Sequence, residues 1–211
     1  LLATLISFSN EMANICETIP GADVKEVLDV VCMDRRISIN IDGKEHRPEI
    51  TSYLKAGCGF GGSCLPKDVK ALEYFAKNRK NINAPMLKAV LDINKHRPSQ
   101  IINKLQSWYP DLSTVSVGVI GLTFKKDTSD LRNSPAVEMV HIINKIGAKL
   151  SIWDPFIKPN QCAEFQEQLI LDFDVFLQSN EVVILTTDCL NWEQAEAIRL
   201  SASSGVVKGL I

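Results

Sequence analysis

The sequence lacks the features that mark several protein classes. Its longest early apolar run, residues 1–8, is broken by Thr4 and Ser7, has no basic segment before it and is too short to cross a bilayer. It has no excess of basic charge, because 23 Lys and Arg residues stand against 25 Asp and Glu residues. It has no repeat and no low-complexity tract, and its 45% hydrophobic and 23% charged content is unlike that of disordered, collagenous or coiled-coil chains. We therefore expect a globular protein with no nucleic-acid partner and no membrane partner.

Patterns typical of metal sites are missing as well. The cysteines form no C-x-x-C pair, and no histidine lies within ligand spacing of them. The three histidines, His46, His96 and His141, form neither a metal cluster nor a triad pattern. We expect no metal site and reduced thiols in a cytoplasmic protein, with most cysteines acting as small core residues. The six cysteines are Cys16, Cys32, Cys58, Cys64, Cys162 and Cys189.

The pattern of the 211 residues changes near residue 111, which predicts two domains. In residues 1–110, apolar spacing predicts helices, one of them capped by Asp23 and another, from about residue 84 to 108, kinked or split by Pro98. Residues 40–49 are charged and typical of a loop. In residues 111–211, β-branched runs at about 114–121, 150–153 and 182–186 alternate with helical patterns, one beginning at Ser134-Pro135 and ending at Gly147. This alternation predicts a parallel sheet of the doubly wound kind.

Cys64 is the cysteine whose surroundings indicate chemistry. It follows a glycine-rich stretch, residues 57–62, and precedes Pro66, which suits the first turn of a helix. A helix dipole and the nearby Lys67 favour a thiolate, glycine backbone amides can face a developing oxyanion, and Asp68 lies four residues after the thiol. This combination suggests covalent acyl chemistry. The alternative is a structural glycine turn with a buried cysteine and a capped helix, because no histidine is positioned as a base.

Four segments carry a resemblance to the UDP-glucose/GDP-mannose dehydrogenase family. The run GCGFGGSCLPKDV, residues 57–69, closely resembles that family's catalytic signature. Asn10-Glu11 resembles a helix of its central domain, and Asp34-Arg35-Arg36-Ile37 its D-x-R-I-G element, with Ser38 in place of Gly. The run GLTFKKDTSDLRNSP, residues 121–135, together with Trp153-Asp154-Pro155, resembles its C-terminal nucleotide-binding domain. The resemblance implies a helical central domain, which forms the homodimer, followed by a Rossmann-like domain.

The resemblance also implies an activity and a set of roles. The activity is the NAD-dependent, four-electron oxidation of the C6 alcohol of a nucleotide sugar to a carboxylate. Cys64 would trap the C6 aldehyde as a thiohemiacetal that becomes a thioester, and Asp68 would assist proton transfer and activate water. Lys67 would contact the cofactor, Arg36 would reach the partner subunit's substrate, and Arg132 would meet a phosphate or the cofactor. The substrate would be lined by Tyr53, Leu54, Lys55, Ala56, Gly57, Gly61, Phe124 and Lys125.

Simpler readings of the charged residues stay open. Arg36 and Lys67 also fit solvated surface charges. Lys125, Asp130 and Arg132 also fit a surface ion network, together with Lys126 and Asp127.

The sequence departs from the family pattern in ways that indicate a fragment. No G-x-G-x-x-G fingerprint for NAD lies ahead of residue 50, the family's catalytic Lys and Asn would precede Leu1, and its D-G-R element would follow Ile211. The stretch from Arg36 to Tyr53 is long, and residues 41–47 are interpreted as an inserted loop near the dimer contact. We expect the chain by itself to be inactive, because nothing in it would hold NAD against C6.

The substrate and the class of function leave alternatives. UDP-glucose ranks first as substrate, ahead of GDP-mannose and a UDP-N-acetylhexosamine. A non-catalytic, dimerising nucleotide-sugar-binding module is a second hypothesis, which the presence of both Cys64 and Asp68 disfavours. A thiol hydrolase is a third, and it requires a histidine near Cys64 in space.

Overall fold

The computed structural model describes residues 1–203 and 209–210, and the chain separates into two units. The helical unit comprises Leu1–Phe60 and Cys64–Arg97, and the sheet unit comprises Gly61–Ser63 and the chain from Pro98 onward. Ile211, which entered the expectation about the D-G-R element, lies outside the described residues. Among the residues described, no helix is long and apolar enough to cross a membrane.

The helical unit contains α1 (Leu2–Cys16), α2 (Val24–Cys32), α3 (Cys64–Lys80) and the first part of α4 (Pro85–Trp108). The predicted cap of α2 is confirmed, because the Asp23 carboxylate accepts a hydrogen bond from the Lys25 N–H at 2.7 Å. The helical unit has a small core formed by the buried side chains of Ala3, Phe60 and Val90. Ile6, Leu65 and Val69 pack against this core. This core places the start of α3 beside the loop that precedes it.

A hairpin occupies the segment that the sequence indicated to be a loop. Strand β1 (Ile39–Ile41) pairs antiparallel with β2 (Lys44–His46), and a 3-10 helix, Glu49–Tyr53, follows. The prediction of a loop over residues 40–49 was therefore wrong. The turn residues Asp42 and Gly43 have φ angles of 51° and 77°, as an Asp-Gly hairpin turn requires. The signal was weak because each strand has only three residues and β1 is exposed along its whole length.

Pro98 was expected to kink or split α4; the helix runs continuously through Pro98, so it is not split there. A proline inside a helix costs about 3 kcal/mol, because it removes one hydrogen bond and crowds the preceding turn. Packing on both sides offsets this cost, since Val90 lies buried before the proline and Ile102 and Leu105 lie buried after it. Each such side chain contributes roughly 1.5–3 kcal/mol on burial.

The sheet unit alternates strands and helices as predicted. It contains β3 (Ser116–Ile120), α5 (Pro135–Ile146), β4 (Lys149–Trp153), α6 (Phe173–Gln178), β5 (Val182–Leu185), α7 (Trp192–Ser203) and β6 (Gly209–Leu210). Within the described residues its sheet has the order β4-β3-β5-β6, and each neighbouring pair is parallel. Short 3-10 helices lie at Leu112–Thr114, Pro159–Gln161 and Ala163–Gln168. The Rossmann-like fold class is therefore confirmed.

Helix α5 shows how the sequence sets the boundaries of this unit. The Ser134 hydroxyl caps the helix by accepting from the Ala136 N–H at 3.2 Å, and Pro135 occupies its first turn. Gly147 ends the helix in the left-handed conformation, with φ 86°. The fully buried Met139, Val140 and Ile143 form its inward face. Because β3 and β4 are parallel, their carboxyl ends lie at the same edge of the sheet, and each is followed by a loop that carries polar side chains.

Candidate functional site

Cys64 is the first residue of α3, and its side chain is exposed. Four of the other cysteines are buried and Cys58 is intermediate. The structure thus excludes the alternative in which Cys64 is a buried cysteine of a purely structural glycine turn. It also starts α3 two residues earlier than expected, at Cys64 rather than Pro66, so the thiol belongs to the first helical turn. Backbone N–H groups of a first turn have no acceptor within their own helix, and the helix dipole there favours negative charge.

Asp68 and Lys67 follow on the same turn of α3. Asp68 is four residues after Cys64, a spacing that places two side chains on the same face of a helix. The Asp68 Oδ1 lies 3.4 Å from the Lys67 Nζ, and both side chains are more than two-thirds exposed. An ion pair this exposed is worth little in stability, so both groups are available to a ligand.

The residues predicted to line the sugar begin at the end of the 3-10 helix Glu49–Tyr53. Tyr53 and Lys55 are exposed, while Leu54 and Ala56 are half-buried. Leu54, Lys55 and Ala56 line a cavity of about 600 Å³ whose opposite wall is α2, through Val24 and Leu28. The volume falls within the range of small-molecule sites. Its wall also includes Lys25, Asp29, Cys32, Arg47, Pro48, Glu49, Thr51 and Ser52.

The end of the glycine-rich stretch packs within the sheet unit. The Gly62 N–H donates to the Arg132 carbonyl at 2.8 Å, and the Asn133 side-chain amide donates to the Gly62 carbonyl at 2.9 Å. A β-carbon on Gly61 would lie 2.5 Å from the Asn133 carbonyl oxygen and 2.8 Å from the Phe124 β-carbon. The structure therefore brings together three predicted site residues, Gly61, Phe124 and Arg132, although Arg132 takes part through its backbone.

The charged residues of the 121–134 loop are partly engaged with one another. The Arg132 guanidinium forms a two-pronged pair with Asp130, at distances down to 2.8 Å, and its side chain is 70% exposed. Hydrogen bonds from Arg132 lower the pKa of Asp130 to about 2. The Lys125 Nζ lies 5.6 Å from the centre of the Phe124 ring, within cation–π range. Lys125 therefore stands at the loop surface as a positive charge directed over an aromatic face.

Asp154 fixes this loop from β4. Its Oδ2 accepts from the Leu122 and Thr123 N–H groups at 2.7 and 3.0 Å and from the Thr123 hydroxyl at 3.2 Å, while its Oδ1 accepts from the Phe156 N–H at 2.7 Å. Asp154 is only 4% exposed. A buried carboxylate with four donors holds the backbone rather than facing a ligand.

Arg36 lies in the turn after α2 and is bound to Asp34. Its guanidinium makes a two-pronged pair with that carboxylate and holds the pKa of Asp34 well below its usual range. The Arg36 side chain is 88% exposed. Its predicted contact with a partner's substrate is therefore sterically open and stays a prediction.

Sequence reasoning missed the side chains that hold the site's backbone. Asn94, Arg97 and Asn133 bond to the glycine-rich stretch, as Asn10 also does, and Asp154 bonds to the loop after β3. Asn10 and Asp154 occurred in the segments of resemblance without a stated role. Asn94 and Arg97 carried no local signal, because their partners lie 34 and 40 residues away. Across residues 1–203 and 209–210, no group of three or more His, Cys, Asp or Glu side chains is placed to hold a metal ion.

Comparison with known proteins assigns both halves of the chain. Residues 1–96 match the model of the UDP-glucose/GDP-mannose dehydrogenase family, central domain, and residues 118–208 match that family's UDP binding domain. A UDP-glucose 6-dehydrogenase of Rickettsia bellii is 36% identical over 98% of this chain and 45% of the relative. A GDP-mannose 6-dehydrogenase of Pseudomonas savastanoi is 32% identical over 87% of this chain and 41% of the relative.

A solved structure agrees in fold and in extent. The structure of a UDP-glucose dehydrogenase from Pyrobaculum islandicum has a TM-score of 0.78 and 32% identity, covering 93% of this chain and 42% of that one. The chain thus spans less than half the length of the relatives it matches. The family models cover most of its residues. The chain belongs to the UDP-glucose/GDP-mannose dehydrogenase family.

Proposed function

We propose that the protein containing this chain is an NAD-dependent nucleotide-sugar 6-dehydrogenase that oxidises the C6 alcohol of UDP-glucose to a carboxylate. The observation that carries this proposal is the exposed Cys64 thiol in the first turn of α3, directly after the glycine-rich stretch, in a chain of this family. Four electrons leave C6 in two oxidations, with an aldehyde between them. A thiol that bonds to this aldehyde keeps the carbon in place for the second oxidation.

The chain's own residues supply the covalent steps. The Cys64 sulfur adds to the aldehyde carbon, and the aldehyde oxygen gains a proton, which gives a thiohemiacetal. After the second oxidation the carbon is a thioester, which water attacks, so the C–S bond breaks, the carboxylate forms and the thiol is restored. Asp68, one turn along α3, would take the proton of that water. Backbone amides in the first turn of α3 would donate to the oxygen that becomes negative during both additions.

Among residues 1–203 and 209–210, no strand, turn and helix are arranged as an NAD site. Cofactor fingerprints place a tight glycine turn between a strand and a helix whose N-terminus meets the diphosphate. Here β3 leads into the long 121–134 loop instead, and the N-terminus of α5 is filled by the Ser134 hydroxyl, which also donates to the Leu122 carbonyl at 2.8 Å. NAD, the hydride acceptor, would therefore be bound by a part of the whole protein outside this chain. Lys67 is the exposed cation nearest to Cys64 in sequence, and it would contact the bound NAD.

The substrate's diphosphate would be met by the 121–134 loop. Lys125 offers an ammonium above the Phe124 ring, and the Arg132 guanidinium, which is paired with Asp130, is 70% exposed. UDP-glucose ranks ahead of GDP-mannose because relatives named for UDP-glucose match at 33–36% identity, and one named for GDP-mannose matches at 32%. The sugar itself would lie against residues 53–57 and Gly61.

A second copy of the chain would pack on the helical unit. Helix α2 buries Leu28 and Cys32 but leaves Val27, Val30 and Val31 exposed on another face. Met33 and Ile15 add to the exposed apolar surface of this unit, at 62% and 49% exposure. Apolar side chains at i, i+3 and i+4 that face water are typical of a contact surface. In the homodimer, Arg36, which follows this surface, would extend toward the partner's substrate.

Sedimentation analysis tests the homodimer. The wild-type protein is expected at twice the chain mass, and Val30→Asp is expected to sediment as a monomer with unchanged circular dichroism. Lys25→Asp, which changes charge on α2 away from the valine face, is the matched control and is expected to stay dimeric. A Val30→Asp protein that remains dimeric contradicts this interface.

NADH stoichiometry tests the proposed activity. The full-length protein is mixed with a limiting amount of UDP-glucose, GDP-mannose or a UDP-N-acetylhexosamine and excess NAD, and absorbance at the NADH band is followed to completion. We expect two NADH per UDP-glucose and turnover of the other two sugars at least tenfold slower. One NADH per sugar would refute the four-electron oxidation, and faster turnover of another sugar would refute the substrate assignment. The absence of NADH with all three would refute the enzyme.

A further inference from the structure

The first part of the glycine-rich stretch, residues 57–60, is held by side chains rather than by secondary structure. We call this segment the tethered loop; it contains Gly57, Cys58, Gly59 and Phe60 and lies within the helical unit. Both of its ends are bonded to side chains of α1 and α4. Because glycine loses more conformational freedom on folding than any other residue, a loop with two glycines needs such bonds to adopt one conformation.

At the first end, Gly57 is bonded through both of its backbone polar groups. Its N–H donates to the Asn10 Oδ1 at 2.8 Å, and its carbonyl accepts from the Arg97 Nε at 2.8 Å. Asn10 is fully buried, and its Nδ2 has no hydrogen-bond partner within the described residues. Leaving a buried amide unpaired destabilises a fold, so the bond to Gly57 is what the Asn10 side chain contributes at this position.

At the other end, Phe60 is bonded by one side chain. The Phe60 N–H donates to the Asn94 Oδ1 at 2.7 Å, and the Asn94 Nδ2 donates back to the Phe60 carbonyl at 2.9 Å. The Asn94 amide thus forms a closed pair with the Phe60 backbone, as a neighbouring strand would. The Phe60 ring is buried against Ala3 and Val90, which fixes this end a second time.

The Arg97 guanidinium is buried at 6% exposure, which is unusual for a charged group. Its Nη1 donates to the Asn14 Oδ1 at 2.5 Å while its Nε holds Gly57. Burial lowers the pKa of Arg97, and the nearby Glu17 charge partly opposes that effect. A desolvated cation is costly in a fold unless hydrogen bonds compensate it, and here the compensating acceptors include the carbonyl of the tethered loop itself.

We propose that Asn10, Asn94 and Arg97 are positioning residues that hold the tethered loop in the conformation from which the sugar is presented to Cys64. The proposal rests on the proposed function, because Cys64 follows the loop by four residues and Gly57 is one of the predicted sugar contacts. Reacting groups must be held within fractions of an ångström, and a displacement of about 1 Å costs on the order of 100-fold in rate. These three residues therefore act on the reaction through the backbone of the loop.

Asn94 gives the cleanest test, because two variants remove its bonds in steps. Asn94→Asp keeps the acceptor for the Phe60 N–H and loses the donor to the Phe60 carbonyl, whereas Asn94→Leu loses both. Asn103→Leu, at an exposed asparagine of the same helix, is the matched control. Arg97→Met removes the guanidinium at similar length and tests the Gly57 end independently of the Asn94 variants.

The first readout is amide hydrogen exchange of the full-length protein, followed at the amides of Gly57 and Phe60. Asn94→Leu is expected to speed exchange at Phe60 at least tenfold while the slowest amides of α1 are unchanged, Asn94→Asp is expected to have a smaller effect, and Asn103→Leu none. Arg97→Met is expected to speed exchange in the loop without opening α1. Unchanged exchange at Phe60 in Asn94→Leu overturns the proposal.

The second readout is steady-state kinetics with a nucleotide sugar that the wild-type protein oxidises. We expect kcat to fall about 10–100-fold in Asn94→Leu with KM changed less than threefold, and the loss in Asn94→Asp to be partial. Faster exchange with kcat within twofold of wild type overturns the positioning role. If the wild-type protein oxidises no nucleotide sugar, the proposed function fails, and the exchange data alone decide whether these side chains hold the loop.

Discussion

Replacing Gly62 with alanine perturbs the segment that leads into Cys64. The structure allows the resulting loss of stability to be divided into a conformational part and a crowding part. Gly62 has a φ angle of 76°, and a β-carbon there would lie 2.8–3.1 Å from three carbons of the Phe124 ring. The left-handed conformation costs a residue with a β-carbon about 1–2 kcal/mol. Crowding a packed site costs about 1–3 kcal/mol. Gly62→Ala is therefore expected to lower the free energy of unfolding by about 2–5 kcal/mol.

Two other glycines allow the conformational cost and the crowding cost of an added β-carbon to be measured separately. Gly147 has a similar φ of 86° with nothing within 4 Å of its β-carbon position, so Gly147→Ala should cost only the conformational part, about 1–2 kcal/mol. Gly61 has an ordinary φ but faces the Asn133 carbonyl oxygen at 2.5 Å, so Gly61→Ala should cost only the crowding part, about 1–3 kcal/mol. Gly62→Ala should therefore be the most destabilising of the three.

Urea unfolding of the three variants measures these costs. Transitions followed by circular dichroism and by tryptophan fluorescence should coincide, which licenses a free energy from each curve. The midpoint should fall least for Gly147→Ala and most for Gly62→Ala, at a constant slope. A Gly62→Ala variant no less stable than Gly147→Ala would refute the close packing of the Phe124 ring on this backbone.

Three more predictions concern Asp154 and Cys58. Asp154→Ala leaves the N–H groups of Leu122, Thr123 and Phe156 without their acceptor, so the free energy of unfolding should fall by about 3 kcal/mol. The Tm should fall by about 6–12 °C. A Tm within about 2 °C of wild type would contradict the anchoring role of Asp154. Burial raises the pKa of the Cys58 thiol from 9.0 to about 11. Because the thiol loses its proton more readily in the unfolded chain, the stability that the buried neutral thiol contributes is present in full below pH 9 and is lost as the pH rises through 11. Wild-type stability should fall more steeply than that of Cys58→Ala between those values, and parallel curves would refute the shift. For the same reason iodoacetamide at pH 8 should modify the exposed Cys64 well before Cys58, as peptide mass mapping would show.

The sequence predicted elements whose signals are local. The Ser134 cap, Pro135 and Gly147 mark the two ends of α5, and all three act in the structure as their chemistry requires. The parallel sheet followed from alternating patterns, and the start of α3 was predicted within two residues of Cys64. These features depend on residues close together in the chain, so they can be recognised without knowledge of tertiary contacts.

What the sequence did not reveal depends on contacts between distant residues. The continuity of α4 through Pro98 is decided by burial on both sides of the proline, which no local rule contains. The tethers of Gly57 and Phe60 join residues 34–47 positions apart, and an asparagine in a helix gives no sign of its partner. The hairpin at residues 39–46 had a local signal, the Asp42-Gly43 turn, but each of its strands has only three residues. The division into units falls between Arg97 and Pro98, whereas the sequence pattern changes near residue 111.

The proposed function requires that Cys64 form a covalent bond with the substrate carbon. The most direct measurement is mass spectrometry of the full-length protein, quenched in acid during turnover with UDP-glucose and NAD, beside the Cys64→Ala and Cys58→Ala variants. We expect a covalent nucleotide-sugar adduct on the peptide that contains Cys64 in the wild-type and Cys58→Ala proteins, and neither adduct nor NADH production above one-thousandth of wild type in Cys64→Ala. Oxidation of UDP-glucose to the carboxylate by Cys64→Ala within tenfold of the wild-type rate would contradict the claim.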